Sequence, residues 1–450
     1  MTDLAAAIDA YHALLDDDTA LESQAQLDDQ MRRRGLFFGE RALCTVLRPR
    51  FLSHDQYLYL QHAIRTVMPA FGKAHQAALE NDGLRAQFGL AGWEEELLRD
   101  DPGFAAPSPT ARMDTFLTSE GLWFTEYNAE TPAAPAYCDA LTDVFLGLPV
   151  MQRFERAHDV WPLPGRHHVL AALLDAYRQW GGRERPRIAI LDWREVPTYS
   201  EFLLFQAYFR EQGYECIIAD PRGFEYRNGQ LLAEGVTPVN LIYKRVLISE
   251  LVDQCGLDHA VVRAVRERAA CMVNPFRCKL LHKKASLAVL SDEANRGLFT
   301  AAEGAAIDRH IPWTRIVAER KTRYQGREVD LLQFIGDHKS ELVLKPNDEY
   351  GGKGIVLGWD VDGATWSAAV QQALAEPYIV QKRVKLQSEP YPSFADGRVQ
   401  VYDRMLDTNP FIWSGQYSSG CLTRLSTAAL LNVTAGGGST VPTFIVERRD

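Results

Sequence analysis

TARMDTFLTSEGLWFTEYNAETP, residues 110–132, holds two strand-like runs separated by Ser119, Glu120 and Gly121. A short Gly-containing connection between alternating apolar runs is the signature of a β-hairpin. With the turn centred on Glu120, Asp114 opposes Glu126 and Arg112 opposes Asn128, and the two-residue period of a strand puts all four on one face. The apolar alternates, Met113, Phe124 and Tyr127 among them, predict a well-packed sheet.

Carboxylates directly opposed across a hairpin, roughly 5 Å apart at Cβ, repel unless something cationic sits between them. One reading is a hard-cation site. Asp114, Glu126 and the amide oxygen of Asn128, presented from rigid strands, suit Mg²⁺, which also takes phosphate oxygens and keeps several waters. Arg112 then holds a phosphate beside the metal with its planar fork. The other reading is a solvated hairpin face on which Arg112 pairs with Asp114 or Glu126. Spacing alone leaves both open.

A second constellation lies far downstream. LVLKPNDEYGGKGIVLGW, residues 342–359, puts Lys345 at a strand end, then a polar loop with Gly351, Gly352 and Gly354, then another strand. It is no P-loop, because G-x-x-x-x-G-K-[ST] is absent and a strand follows. The glycines let backbone N–H groups approach phosphate oxygens, and Lys345 and Lys353 can supply point charges; a plain flexible hairpin is the alternative. PYIVQKRV, residues 377–384, is an apolar strand ending in Gln381, Lys382, Arg383 and Val384, either an edge that offers backbone groups to a purine or a core strand with a polar exit.

The rest of the chain frames these two segments. Its 450 residues, 46% hydrophobic and 24% charged, exceed one compact core and predict two or three domains. Lys plus Arg number 49 against 59 Asp plus Glu, a net charge of −10, so any nucleic-acid footprint would have to be local and no nucleic-acid partner is expected. The N-terminus has neither a basic n-region nor an apolar h-region, no apolar run approaches a membrane span, and the expectation is a cytoplasmic protein with no membrane partner. Seven cysteines without a C-x-x-C read as reduced, mostly buried thiols, and the sequon at Asn432 is void without secretion.

Residues 1–99 read as a helical region that covers something else, with helical spacing in Leu52, Leu58, Leu60, Ile64, Val67 and Phe71. The turn formers of residues 100–109 open the hairpin part, residues 100–150. Residues 151–270 alternate strand, helix and strand, with a hairpin turn at Asn228-Gly229, and read as an open α/β domain. Residues 271–450 are dominated by strands at 341–346, 354–359, 377–384, 398–406 and 442–447, with helices near 280–295 and 364–375 and a Gly-rich loop at 436–438.

Together the motifs resemble the ATP-grasp enzymes, in an unusual order. R-x-D and E-x-N come first, and the Lys and Gly-rich loop come last. That order, with FTEYNAETP as the E-x-N segment, is similar to the circularly permuted ATP-grasp proteins of the glutathionylspermidine synthase type, over roughly residues 100–450. The resemblance implies an α/β fold: an ATP-grasp core in permuted order, a pre-ATP-grasp open α/β domain and an N-terminal helical region. It makes Asp114, Glu126 and Asn128 Mg²⁺ ligands and Arg112 the residue that steadies the transferred phosphoryl group. It makes Lys345 an ATP-binding lysine and sets Gln381, Lys382 and Val384 against the adenine. In KKASLAVL, Lys284 matches the upstream ATP lysine, with Lys283 its rival. YSSGCLTRLS, with Gly420 and Arg424, resembles a late loop that closes on the nucleotide.

With no spare length ahead of residue 100, the amidase domain of some relatives is not expected, and no residue matches the glutathione contacts. Glu195, Thr198, Glu201 and Arg245, with Lys244, sit where the family holds its acceptor; a helix N-cap region and a solvated strand end are the plainer account of them. The implied activity is an ATP- and Mg²⁺-dependent ligase joining a small-molecule carboxylate to an amine through an acyl phosphate. A phosphotransferase that stops at a phosphorylated product and a catalytically silent binding protein are the alternatives. The substrates and the oligomeric state are not readable from the chain. Residues 100–130 and 340–430 must meet to make one site.

Overall fold

The computed structural model describes residues 2–427 and 438–449; the Asn432 sequon and positions 436 and 437 of the Gly-rich run lie outside the described residues. The hairpin forms from Thr110–Thr118 and Gly121–Asn128. It is one edge of a seven-stranded sheet that continues through Asn409–Trp413, Tyr417–Ser426, Arg398–Leu406 and Ser388–Ala395, with Ser439–Val441 also beside Tyr417–Ser426. Phe411 pairs with Arg112 and Trp413 with Thr110, so the two distant parts of the chain do meet.

The hairpin's register has a cause that the sequence did not show. Its turn is the two residues Ser119 and Glu120, because Thr118 pairs with Gly121. From that turn, Phe116 pairs with Trp123 and Thr115 with Phe124; continued unbroken, the ladder would set Thr125 against Asp114 and turn Glu126 to the reverse face. One extra residue, Thr125, bulges out and restores the pairing of Asp114 with Glu126 and of Arg112 with Asn128. The expected pairs are therefore present, through a tighter turn and a compensating bulge.

The reverse face is covered as expected. Met113, Phe124 and Tyr127 share a core with Leu60, Ile64, Val67 and Phe71 of the long helix His54–Glu80. Leu52, expected on that helix, instead ends the strand Arg50–Leu52. Ser53 and Gln56 form a capping box that starts the helix just after it. This strand lies parallel to Thr443–Arg448, whose other edge pairs with His158–Pro162.

A four-stranded parallel sheet runs in the order Cys271–Val273, Leu241–Lys244, Ile188–Leu191, Cys216–Ala219, with the helix Tyr199–Glu211 in the first crossover. Asn228 and Gly229 both have positive φ, 53° and 73°, as the expected tight hairpin requires. The sheet extends past residue 270, because Cys271–Val273 follows a helix with no Gly or Pro to mark it.

A four-stranded antiparallel sheet orders Thr314–Ile316, Tyr378–Lys382, Leu342–Pro346 and Val356–Leu357, packed on the helices Leu331–Asp337 and Gly363–Ala375. The strand expected over 354–359 shrinks to Val356–Leu357, because the turn around the glycines runs into it. Residues 417–426, expected as a loop, are a ten-residue strand; the turn formers Ser414 and Gly415 precede it and make the hairpin with Asn409–Trp413. All seven cysteines are unpaired and all but Cys255 are buried. Among the described residues no helix is long and apolar enough to cross a membrane.

Candidate active site

Arg112, Asp114, Glu126 and Asn128 line one cavity of about 460 Å³ together with Lys345, Gly351, Gly352, Gln381, Lys382, Val384 and Arg424. The seven-stranded sheet supplies one wall and the antiparallel four-stranded sheet the other. The solvated-hairpin alternative does not hold, since Arg112 and Asp114 are buried.

Asp114 is the best-connected acid. Its Oδ1 accepts from Arg112 Nε and from Asn128 Nδ2, both at 2.9 Å, and its Oδ2 accepts from Arg424 Nη2 at 2.7 Å. Burial works against its ionisation, yet the two guanidinium groups outweigh it and hold the carboxyl well below the usual carboxylate range. Glu126 Oε1 lies 3.2 Å from Lys284 Nζ.

Lys284 is thus distinguished from Lys283. Lys284 Nζ also donates to Glu349 O at 2.6 Å, so it links Glu126 to the Gly-rich loop. Lys283 turns away to Glu94 and Asp348, at 2.8 and 2.9 Å.

Lys345 reaches across the cavity to the hairpin. Its Nζ donates to the carbonyl of the bulged Thr125 at 3.1 Å and to Gln381 Oε1 at 2.7 Å. Burial lowers its pKa to about 8, against the pull of Glu126 and Asp114, and Lys284 lowers it further. Gln381 turns its side chain inward and donates to Thr314 Oγ1 at 3.0 Å, so it orients Lys345, and the polar exit of that strand begins at Lys382.

In the loop, Gly351, Gly352 and Gly354 all adopt positive φ, which other residues rarely do. Gly354 stands at the foot of the loop against Pro346 and Tyr378 rather than on the cavity wall. Asp348 anchors the loop to Lys279 and Lys283, at 2.8 and 2.9 Å, and Tyr350 donates to Glu250 Oε1 at 3.0 Å.

The acceptor candidates are not part of this cavity. Glu195 is exposed and paired with Arg222. Thr198 is the N-cap position of the helix Tyr199–Glu211 and makes no side-chain cap. Glu201 is buried beneath the helix Pro135–Gly147, where its Oε1 accepts from Ala134 N at 2.8 Å and Ala136 N at 3.2 Å. Arg245 donates to Pro132 O and Tyr243 Oη. Lys244 is buried against Glu130 at 2.9 Å, with Lys279 at 3.1 Å on the same carboxylate.

Sequence reasoning missed Asp407, which holds Arg424, and the apolar lining from Phe116, Leu386 and Met405. Extending the two-residue period from Asp114 would have found Phe116; no local signal marks the others.

The residues present fit a Mg²⁺ ion. Asp114, Glu126 and Asn128 line the cavity, and among the described residues no group of three or more His, Cys, Asp or Glu is placed to hold a metal ion by itself. Few protein ligands and an open side are what Mg²⁺ takes when substrate phosphates complete its shell.

No family model matches the sequence, and no curated protein does. Among solved structures, a glutathione synthetase-like effector from Globodera pallida, in its apo form, matches with a TM-score of 0.59 at 12% identity, covering 96% of this chain and 98% of that one. A protein assigned as a gamma-glutamylcysteine synthetase from Methylobacillus flagellatus gives 0.42 at 10%, covering 88% and 89%. D-alanyl-alanine synthetase A from Vibrio cholerae gives 0.28 at 10%, covering 59% and 89%. The first likeness is one of fold: the chain is a mixed α/β protein that shares its overall fold with that effector.

Proposed function

We propose that this protein is an ATP- and Mg²⁺-dependent carboxylate–amine ligase, glutathionylspermidine synthase-like, with its ATP-grasp parts in circularly permuted order. The observation that supports this most is the meeting of the R-x-D and E-x-N hairpin with Lys345, the Gly-rich loop and Arg424 in one cavity.

Asp114, Glu126 and Asn128 would hold Mg²⁺, which neutralises charge on the β- and γ-phosphates when bound. Arg112 and Arg424 orient the transferring phosphoryl group, and Lys345 and Lys284 offset its charge. Apolar side chains of Val343, Leu357, Leu386 and Met405 also line the cavity and would pack against the adenine. The acceptor carboxylate attacks the γ-phosphorus, ADP leaves, and the acyl phosphate is captured by an amine to give an amide and phosphate. No protein nucleophile is required, because positioning and charge neutralisation supply the catalysis. The Gly-rich loop, tied at Asp348 and Tyr350, lines the cavity with Gly351 and Gly352 and would keep water from the acyl phosphate by closing over it.

ADP release measured with pooled carboxylates, amino acids and polyamines, with and without Mg²⁺, tests this reading. Turnover that needs both a carboxylate and an amine, with an amide identified by mass spectrometry, is the expected result. A phosphate ester as the final product would point to a phosphotransferase, and ATP binding without turnover to a binding protein.

A further inference from the structure

We infer that Asp407 is a positioning residue that lets Arg424 exchange partners, releasing Asp114 to a divalent cation and turning to the nucleotide. This deepens the functional reading above and rests on its nucleotide site.

Arg424 is shared by two carboxylates of unlike setting. Its Nη2 donates to Asp114 Oδ2 at 2.7 Å, on the cavity wall. Its Nε donates to Asp407 Oδ2 at 2.6 Å, and its own backbone N–H donates to Asp407 Oδ1 at 2.7 Å. Asp407 does not line the cavity and is only 1% exposed. Its backbone N–H also returns to Arg424 O at 3.2 Å, so Asp407 is fixed to the strand that carries Arg424.

The geometry makes one contact permanent and the other exchangeable. The Asp114 carboxylate accepts three hydrogen bonds on about four lone-pair sites, two on Oδ1 from Arg112 and Asn128 and one on Oδ2 from Arg424, so a cation on Oδ2 would share that oxygen with the Arg424 guanidinium and be repelled by it. Arg424 can give way without becoming an unpaired buried charge, because Asp407 still balances it. Its Nη2, held by the Nε contact at the cavity wall, is then free for a phosphate oxygen.

Asp407→Asn keeps the shape and removes the balancing charge. Arg424 is then committed to Asp114, and guanidinium and cation compete. Equilibrium binding of a non-hydrolysable ATP analogue, titrated with Mg²⁺, reads this without turnover. The Mg²⁺ concentration for half-saturation is expected to rise about tenfold in Asp407→Asn, the size of a charge-assisted hydrogen bond. In an Arg424→Gln background the same substitution is expected to add nothing, because Asp407 acts through Arg424. A general structural role would instead add its effect in both backgrounds.

If the wild type binds the analogue with Mg²⁺ and Asp407→Asn leaves the Mg²⁺ dependence unchanged, this inference falls and the nucleotide site stands. If the wild type shows no Mg²⁺-dependent binding, the nucleotide site itself falls. Should Asp407→Asn fail to fold, Arg424→Lys, which loses the Nε contact but keeps a cation for Asp114, is expected to show the same rise; wild-type Mg²⁺ dependence in that variant overturns the inference.

Discussion

Asp114 Oδ2 and Arg424 Nη2 lie 2.7 Å apart although 310 positions separate them in the chain. The contact joins the hairpin to the strand Tyr417–Ser426, and with Arg112 it keeps the Asp114 carboxyl ionised in a buried place. In Asp114→Asn, both guanidinium groups lose a charged partner. We expect a loss of roughly 3–5 kcal/mol in stability at neutral pH by urea unfolding, and a loss of Mg²⁺-dependent activity of at least about 100-fold. The folded pKa is depressed, so this stabilisation is fully present above the ordinary value of 3.8 and is lost as pH falls toward the folded value. The gap in stability between variant and wild type should close on acidification.

Lys345 works in the opposite sense. Its folded pKa of about 8 lies below the ordinary 10.5, so below pH 8 the fold carries a buried ammonium at a cost that fades as pH rises from 8 to 10.5. Lys345→Met should therefore be more stable than wild type at pH 7, by as much as about 3 kcal/mol, with the difference vanishing near pH 10.5. Nucleotide affinity should weaken in wild type as pH passes 8. Lys345→Arg, always charged, should flatten that profile; a flat profile in wild type would contradict the role of the ammonium.

The Gly-rich loop depends on backbone freedom at its foot. An added Cβ at Gly354 would meet Pro346 Cγ at 3.0 Å and carry a φ of +71°. Gly354→Ala should destabilise by about 1–2 kcal/mol. Because Gly354 is off the cavity wall, KM for ATP should rise with little change in affinity for the acceptor, as steady-state kinetics would show.

Glu130 tests the buried charges beside the site rather than within it. It receives Lys244 at 2.9 Å and Lys279 at 3.1 Å, and those cations outweigh the burial that would otherwise raise its pKa, keeping it well below the ordinary value. Glu130→Gln leaves the buried Lys244 ammonium without its carboxylate, while Lys279 keeps Asp348 at 2.8 Å, and should cost roughly 3–5 kcal/mol in chemical denaturation.

Much of this arrangement was legible along the chain because it follows from local geometry. Alternation in TARMDTFLTSEGLWFTEYN sorted Arg112 and Asp114 from Met113, and the glycines after Lys345 marked the loop. The helix His54–Glu80 showed its apolar stripe, and the α/β unit its strand and turn pattern. The acceptor candidates lie outside the cavity for the converse reason. Glu201, in the first turn of a helix, and Arg245, just past a strand end, are buried inside the fold, where Ala134, Ala136 and Pro132 engage them and they lie 3.6 Å from each other, partners that no spacing rule names.

The sequence by itself determined which residues carry charge, which alternate with apolar neighbours, and therefore that a hairpin of acids and a loop of glycines exist; a strand's period is a property of its own backbone. Only the tertiary structure decided that Thr125 bulges to bring Glu126 beside Asp114, that residues 417–426 form a strand, and that Asp407 holds Arg424 against Asp114. Those outcomes depend on burying both faces of a sheet whose strands lie hundreds of residues apart, and the energy of such burial belongs to the assembled fold rather than to any segment.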